Sequence, residues 1–495
     1  MSGLFVEEVE NPAVAHAMLS IAKLISVARD YTVIYSTMTK SESFTSSDVL
    51  ERYFENFEII DEQKYSPLNY IKIALHSIFL YIFHFKRESI LEIEYRGIKL
   101  GPVIYDSYLA RYRRPTVQIL DIRILKLIFG LIRDIENKIK ALKSKEISTI
   151  LVSHRVGSRG ASYVAAANIL NVDVFSYGGD NRVALIRSNE LTAYEYAPSS
   201  VDIEFLRSLS PKRVTDNFEV AAKLHLGHQI IRDSSYAFSG KIWNSRDAFR
   251  SHFGMHDSSL PMVFILAHVF TDYPNSISRN SAFSDYYQWL KGTLDLAARN
   301  PRIQWVVREH PSSRFYGIDV DVLSRLRKRY LSSNVVWLSA EDDFSSESIQ
   351  FIADAVITYV GSAGYEYPAL YEVPSIYWSH APYSKFQIGT EISSLNEYQK
   401  ILSDLHTRLG SLHLNVHEAR LHYIFTNWMA RVPFEVNPAM TQGEFIQSAQ
   451  NPIKYINDAI SYCKDNAQKL TKQEKLIVKQ LQLPSFGGLR NDLLP

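Results

Sequence analysis

The chain has 495 residues, 46% of them hydrophobic and 12% aromatic, enough to build large cores in two domains of ordinary size. Lys and Arg total 54 against 53 Asp and Glu, a formal charge of +1 with no long basic tail, which argues against nucleic-acid binding by general electrostatics. The single cysteine, Cys463, excludes an intrachain disulfide framework and a thiolate metal cluster, and is compatible with a reducing compartment.

The opening residues, Met1 to Glu10, are acidic and lack the positive start and apolar core of a signal peptide. Ala, Leu, Ile and Val at helical spacing predict a helix over 13–30, and Tyr31 to Ser36 reads as an early strand. Residues 47–95 read as mainly helical. The most apolar run there, Ile71 to Phe85, carries Lys72, His76 and His84 and is shorter than the roughly 20 residues of a comfortable span. A buried helix is the plainer reading; a peripheral membrane contact with Lys72, Lys86 and Arg87 at its ends is the alternative. Tyr95 to Tyr108, with Gly97, Gly101 and Pro102, reads as a turn-rich loop. Its tyrosines and Asp106 suit sugar binding, and a packed loop accounts for them equally well.

A long amphipathic helix is expected over 117–144, then a buried strand over 147–153. The turn His154-Arg155-Val156-Gly157-Ser158-Arg159-Gly160 follows, then a helix over 161–170 and a strand over 172–177 ending in Gly178-Gly179-Asp180. Strand, small-residue turn, helix and strand make a βαβ unit and hence a parallel sheet. The glycines do not match the dinucleotide fingerprint. His154, at the strand's carboxyl end, lines a cleft or is structural.

Residues 200–255 form a polar helical connector, where the domain boundary is placed. A second α/β run begins with a strand over 261–267 and alternates with helices through the strands at 303–307, 335–338, 355–360 and 375–378. That alternation predicts a doubly wound sheet. Beyond about 395 the chain reads as mostly helical. The expected division is therefore 1–250, 251–400 and a helical segment 401–495 packing back on the domains.

Two stretches carry the chemistry. Trp305-Val306-Val307 runs into Arg308-Glu309-His310-Pro311, and Ala355 to Val360 runs into Gly361-Ser362-Ala363-Gly364 with Glu366 beyond. Small residues at a helix start leave backbone N–H groups open to phosphate oxygens, and Ser362 adds a hydroxyl. An ordinary tight turn would use the same residues. Arg308 can take a diphosphate by a bidentate contact, or be buried in an ion pair. Glu366 can reach a ribose hydroxyl or simply favour the helix dipole. Asp272, after His268 on the loop following the strand at 261–267, is the carboxylate expected to act in catalysis, with a turn cap as the structural alternative. Asp319 and Asp321 form a sparse pair with no third ligand nearby, so no metal is expected.

Taken together, His268-Val-Phe-Thr-Asp272, Asn300-Pro to Trp305-Val-Val-Arg-Glu-His310-Pro311 and Gly361-Ser-Ala-Gly-Tyr-Glu366-Tyr-Pro-Ala-Leu resemble bacterial capsule-polysaccharide biosynthesis proteins related to Kdo transferases. Arg96-Gly97 to Gly101, Ile104-Tyr105-Asp106-Ser107 and Ser153-His154 are similar to that family's first domain, so the likeness covers roughly residues 90–400. It departs from the family at Glu309, Ala363 and Val373-Pro374. The resemblance implies an α/β, GT-B-like fold of two Rossmann-like domains with parallel sheets facing a central cleft. It implies a metal-independent glycosyltransferase taking a CMP-activated sugar (Kdo or a related acidic sugar) to a glycan or lipid-linked glycan acceptor, with no tightly bound cofactor. Arg308, His310, Pro311, Gly361, Ser362, Ala363, Gly364 and Glu366 would hold the nucleotide. Asp272, His268 and His310 would carry catalysis, and Asp106, His154 and Arg155 the acceptor. A cytoplasmic location follows, peripheral at the inner face of the membrane and alongside partner biosynthetic enzymes. The rival readings are a CDP-glycerol or CDP-ribitol phosphotransferase, a non-catalytic glycan- or partner-binding homologue, and a nucleotide-sugar epimerase.

Overall fold

The computed structural model describes residues 3–9, 12–37, 50–51, 53–61, 67–84, 86–118, 121–178, 182–191, 198–226, 237–255, 257, 259–277, 282–332, 334–432 and 470–491. Phe85, Gly179, Asp180 and Cys463 lie outside these, as do the side chains of Arg87 and Asp319. The chain divides into two compact units: 1–104, 120–195 and 429–492 form the first, and 105–119, 196–428 and 493–495 the second. The connector at 200–255 thus belongs to the second unit, and the late residues from 429 belong to the first.

The first unit is built on strands β1 (Gly3–Val6), β2 (Thr32–Thr37), β3 (Phe57–Asp61), β4 (Ile147–Val152), β5 (Asp173–Gly178) and β6 (Ala184–Arg187). They lie in the order β3-β2-β1-β4-β5-β6, all parallel except the β5–β6 pair. β1 is central and wholly buried, as a strand covered on both faces must be. It falls in the opening stretch, for which no strand was expected. The helix over Pro12–Arg29 packs on the late helix Lys472–Leu481, where Arg29 Nε donates to the Leu481 carbonyl at 3.2 Å.

Three expectations in this unit need correction. β3 interrupts the stretch read as helical. The stretch read as a loop is a hairpin of Glu94–Tyr95 with Ile98–Lys99, followed by a helix over Gly101–Tyr112. The hairpin turns on Arg96 and Gly97 at φ 49° and 78°. Pro102 ends nothing because proline is tolerated in a helix's first turn. Gly101 is there because a Cβ would run into the Ile90 and Leu91 carbonyls. Finally, the apolar run forms a helix over Pro67–Phe83 that is buried on one side only, at Ile73, Ser77 and Leu80.

The second unit is a six-stranded, wholly parallel sheet. Its strands are β7 (Met262–Leu266), β8 (Gln304–Arg308), β9 (Val335–Leu338), β10 (Ala355–Ile357), β11 (Ser375–Trp378) and β12 (Thr390–Ile392). They run in the order β9-β8-β7-β10-β11-β12. Val263, Phe264 and Ile265 of β7, and Val306 and Val307 of β8, are fully buried, as runs of branched and aromatic residues sealed by helices on both faces. The two units are Rossmann-like α/β domains, one sheet parallel but for its β5–β6 edge and the other wholly parallel, as the GT-B-like class expects. Among the described residues no helix is long and apolar enough to cross a membrane.

Candidate functional site

In the second unit the chain lays down β7, β8 and β9 in one direction and then returns to place β10 on the other side of β7. The carboxyl ends of β7 and β10 therefore flank a topological switch point, where open α/β sheets bind ligands. A pocket opens there. Its walls bring together His268, Arg308, His310, Pro311, Gly361, Ser362, Ala363 and Glu366. Three elements far apart in sequence converge: the end of β7, the end of β8 and the turn after β10.

Arg308 is the main positive group. The residue is 5% exposed, and its guanidinium lies over the Phe344 ring at 5.2 Å. Its hydrogen bonds go to the carbonyls of Ser339 and Phe344, and its Nε has no partner among the described residues. Burial pulls its pKa down from the ordinary arginine value. Asp342 and Glu309 offset part of that cost through their charges, its hydrogen bonds go to carbonyls, and an anion in the pocket would add to the compensation. The hydrogen bonds of the neighbouring Glu309 go elsewhere: it accepts from Trp337 Nε1 at 2.7 Å and the Ala340 N–H at 2.9 Å, tying the end of β8 to β9.

The two histidines are oriented by backbone donors. His310 Nδ1 accepts the Ser312 N–H at 3.2 Å as the cap of the short 3-10 turn Pro311–Phe315, which leaves Nε2 to carry the proton as a donor. His268 Nε2 accepts the Tyr359 N–H at 3.3 Å and lies 3.2 Å from the Thr358 hydroxyl, while its ring stacks on Tyr286 at 4.2 Å. Burial and the nearby His310 hold its pKa down at about 3. His268 is therefore neutral at physiological pH and too weakly basic for general-base work there. It can act as an Nδ1–H donor.

The glycine turn has two distinct jobs. The Gly361 N–H is used internally, donating to Thr358 Oγ1 at 3.3 Å, and a Cβ there would meet His268 Cε1 and Thr358 Oγ1 at 2.9 Å each. The amides of Ser362 and Ala363 are not used by the turn's own bonds. They stand at the start of the helix Ala363–Tyr371, where the dipole favours an anion. Gly364 is buried and packs on Tyr383, outside the pocket wall. Its smallness serves packing rather than ligand approach.

Glu366 faces the pocket from that helix. Burial pushes its carboxyl up to about 7, with the Ser362 hydroxyl drawing it partly back. His225 Nε2 lies 3.8 Å from its Oε1, and His225 Nδ1 lies 2.6 Å from the Tyr423 hydroxyl. The sequence reading missed His225, Tyr423 and the pocket-lining Thr358, Phe238 and Tyr367. His225 sits at the end of the helix Pro211–Leu226 in what reads as a polar connector, and nothing in its local pattern marks it. A carboxyl whose folded pKa exceeds the ordinary 4.5 contributes stability that is complete below pH 4.5 and lost as pH rises through about 7. Glu366→Gln is thus expected to raise the melting temperature of the ligand-free protein at pH 8 and to leave it little changed at pH 5. The ceiling of that gain is about 3 kcal/mol. Thermal melts of both proteins across that range check this, and parallel pH curves would refute it.

The remaining candidates lie elsewhere. Asp272 is exposed on the loop after β7, outside the pocket wall, and its charge acts on Tyr286, which stacks on His268. The next helical turn, Pro274–Ile277, is capped by Asp106. Asp106 is fully buried and accepts the Asn275 N–H and Nδ2–H and the Ser276 N–H, at 2.7–3.1 Å. Its pKa rises to about 6 because burial outweighs those bonds. With both oxygens occupied inside the fold, Asp106 is a structural cap rather than an acceptor contact. Exposed His154 and buried Arg155 follow β4 in the first unit. Beside them Glu7 accepts the Ser153 N–H and hydroxyl at 2.8 and 2.9 Å and pairs with Arg159 at 3.2 Å. Among the described residues no cluster of three metal-ligating side chains occurs.

No family model matches the chain, and no curated protein matches it. Solved structures align over nearly its whole length at low similarity. HepE from Anabaena in complex with UDP and glucose covers 94% of this chain and 100% of its own, at 13% identity and a TM-score of 0.28. UDP-GlcNAc 2-epimerase from Neisseria meningitidis covers 92% and 100% at 12% identity and 0.24. MurG from Acinetobacter baumannii covers 92% and 99% at 9% identity and 0.24. Scores this low carry no argument about chemistry, so the reading of the site stands on its own geometry.

Proposed function

We propose that this protein is a nucleotide-sugar-dependent glycosyltransferase of bacterial surface-polysaccharide assembly. The observation that carries the reading is the convergence of Arg308, His310 and the Ser362–Ala363 amides on one pocket at the switch point of a parallel sheet. A buried guanidinium, an N–H-presenting imidazole and a helix start together complement a diphosphate or a sugar-linked phosphate. As a sugar leaves, charge grows on the phosphate oxygens, and donors already fixed around them stabilise it.

The donor is a cytidine-activated sugar of the Kdo class, by the likeness of His310-Pro311 and Gly361-Ser362 to the capsule proteins. Glu366, whose carboxyl burial pushes up to about 7, can accept from a ribose hydroxyl or, when protonated, donate to it with less repulsion of the phosphates than a carboxylate of ordinary pKa would exert. Asp272 is the general base for the acceptor hydroxyl, and His268 a neutral donor beside it. His154 and Arg155 serve the acceptor, a glycan or a lipid-linked glycan handled at the inner face of the cytoplasmic membrane together with partner enzymes. Calorimetric titration with CMP, CDP, UDP and GDP tests the donor. Cytidine nucleotides are expected to bind; a response to UDP or GDP alone removes the cytidine assignment, and no response to any removes the glycosyltransferase reading. In the same preparation Asp272→Asn keeps nucleotide binding and loses transfer.

A further inference from the structure

The helix over Pro67–Phe83 turns Ile73, Ser77 and Leu80 inward against the helix Ile122–Lys143. Leu68, Ile71, Leu75, Phe79, Ile82 and Phe83, spaced three and four apart, point the other way and are each 53–64% exposed. The Phe79 and Phe83 rings pair at 4.3 Å, so the face is a continuous apolar stripe rather than scattered single residues. A contiguous stripe of this size on a helix already packed on its opposite side calls for an occupant.

We propose that this helix is a membrane-docking surface that lies in the headgroup region of an anionic lipid bilayer. The charge pattern favours that occupant over a second copy of the chain. The helix contains no Asp or Glu, and Lys72, exposed, falls on the apolar face four residues after Leu68 and three before Leu75. Lys86, also exposed, follows the helix. Against a second copy, each Lys72 would be buried opposite an identical face that offers no carboxylate. Against a bilayer, a lysine stem lies along the apolar surface while its ammonium reaches anionic headgroups. The helix's 17 residues give a rod roughly 25 Å long, suited to lying in the interface plane. The proposal rests on the reading above in one respect, the lipid-linked acceptor that makes a bilayer the relevant surface; otherwise it stands on the helix itself.

Sedimentation of the full chain with vesicles tests it, using phosphatidylcholine alone and with about one third phosphatidylglycerol. Binding to the anionic vesicles is expected, weakening with salt. Leu75→Glu combined with Phe79→Glu should weaken it about tenfold or more. Lys72→Glu should remove most of the salt-dependent part. All these positions are exposed, and unchanged melting temperatures confirm that the variants fold. Absence of vesicle binding, equal binding by the double variant, or a homodimer that the double variant dissolves would overturn the proposal. Nucleotide titration of the unsubstituted chain, beside its vesicle binding, separates the two readings. Intact nucleotide binding with no vesicle binding rejects the docking surface alone, whereas vesicle binding with no nucleotide binding rejects the transferase reading alone.

Discussion

Gly364→Ala is expected to lower the melting temperature by about 10 °C and to abolish nucleotide binding. A methyl at this position would coincide with the Tyr383 hydroxyl and lie 2.6 Å from its Cζ. Tyr383 has nowhere to go. It is fully buried, packs against Tyr377 and Tyr365 at 4.7 and 5.4 Å, and donates to the Gly361 carbonyl at 2.9 Å. Relief therefore has to come from the turn itself, which displaces the Ser362 and Ala363 amides from the pocket. Overpacking of a rigid site of this kind costs about 3 kcal/mol. Scanning fluorimetry measures the first effect and calorimetry the second; a wild-type melt would show that Tyr383 is not the fixed partner described.

Arg308→Met should produce the opposite pattern, with stability within about 1 kcal/mol of wild type and nucleotide affinity about 100-fold weaker. Methionine keeps the aliphatic packing on Phe344 and removes a buried charge whose hydrogen bonds are to carbonyls. Removing such a group relieves desolvation as much as it forfeits bonding. In the complex, by contrast, two charge-assisted bonds to phosphate are lost, together worth about 3 kcal/mol. Comparing a nucleotide with its nucleoside localises the effect: the nucleoside should bind both proteins alike. Equal losses for both would place Arg308 away from the phosphates.

Most of the second unit was legible in the sequence because each strand is a short block of branched residues closed by a polar turn. The positions of Arg308, His310 and Ser362 at strand ends then follow from the parallel topology. What escaped has identifiable causes. Gly3–Val6 has too few residues to show any periodicity, yet it is the central strand of the first sheet. Pro102 looked like a breaker because a first-turn proline and a loop proline share the same local sequence. Gly364 and Asp106 were given ligand roles, since a sequence shows that a residue is small or acidic but not what stands against it. Tyr383 comes 19 residues after Gly364, and the amides that fill Asp106 come 169 and 170 residues later. His225 is unreadable for the same reason, as its partners lie on two other helices.

The order in which the two sheets can be completed differs. Every described element of the second unit lies between residues 105 and 428, so it can close as soon as that stretch has left the ribosome. The first unit cannot. Its opening strand must wait for the β4 partner some 140 positions on, and the face of its helix over Pro12–Arg29 that meets Lys472–Leu481 stays uncovered until that late helix arrives. During synthesis, then, that flank of the helix is exposed for most of the chain's length, while the pocket at the ends of β7, β8 and β10 is already formed. The unit that begins first finishes last, and it is the part of this protein with most need of a chaperone.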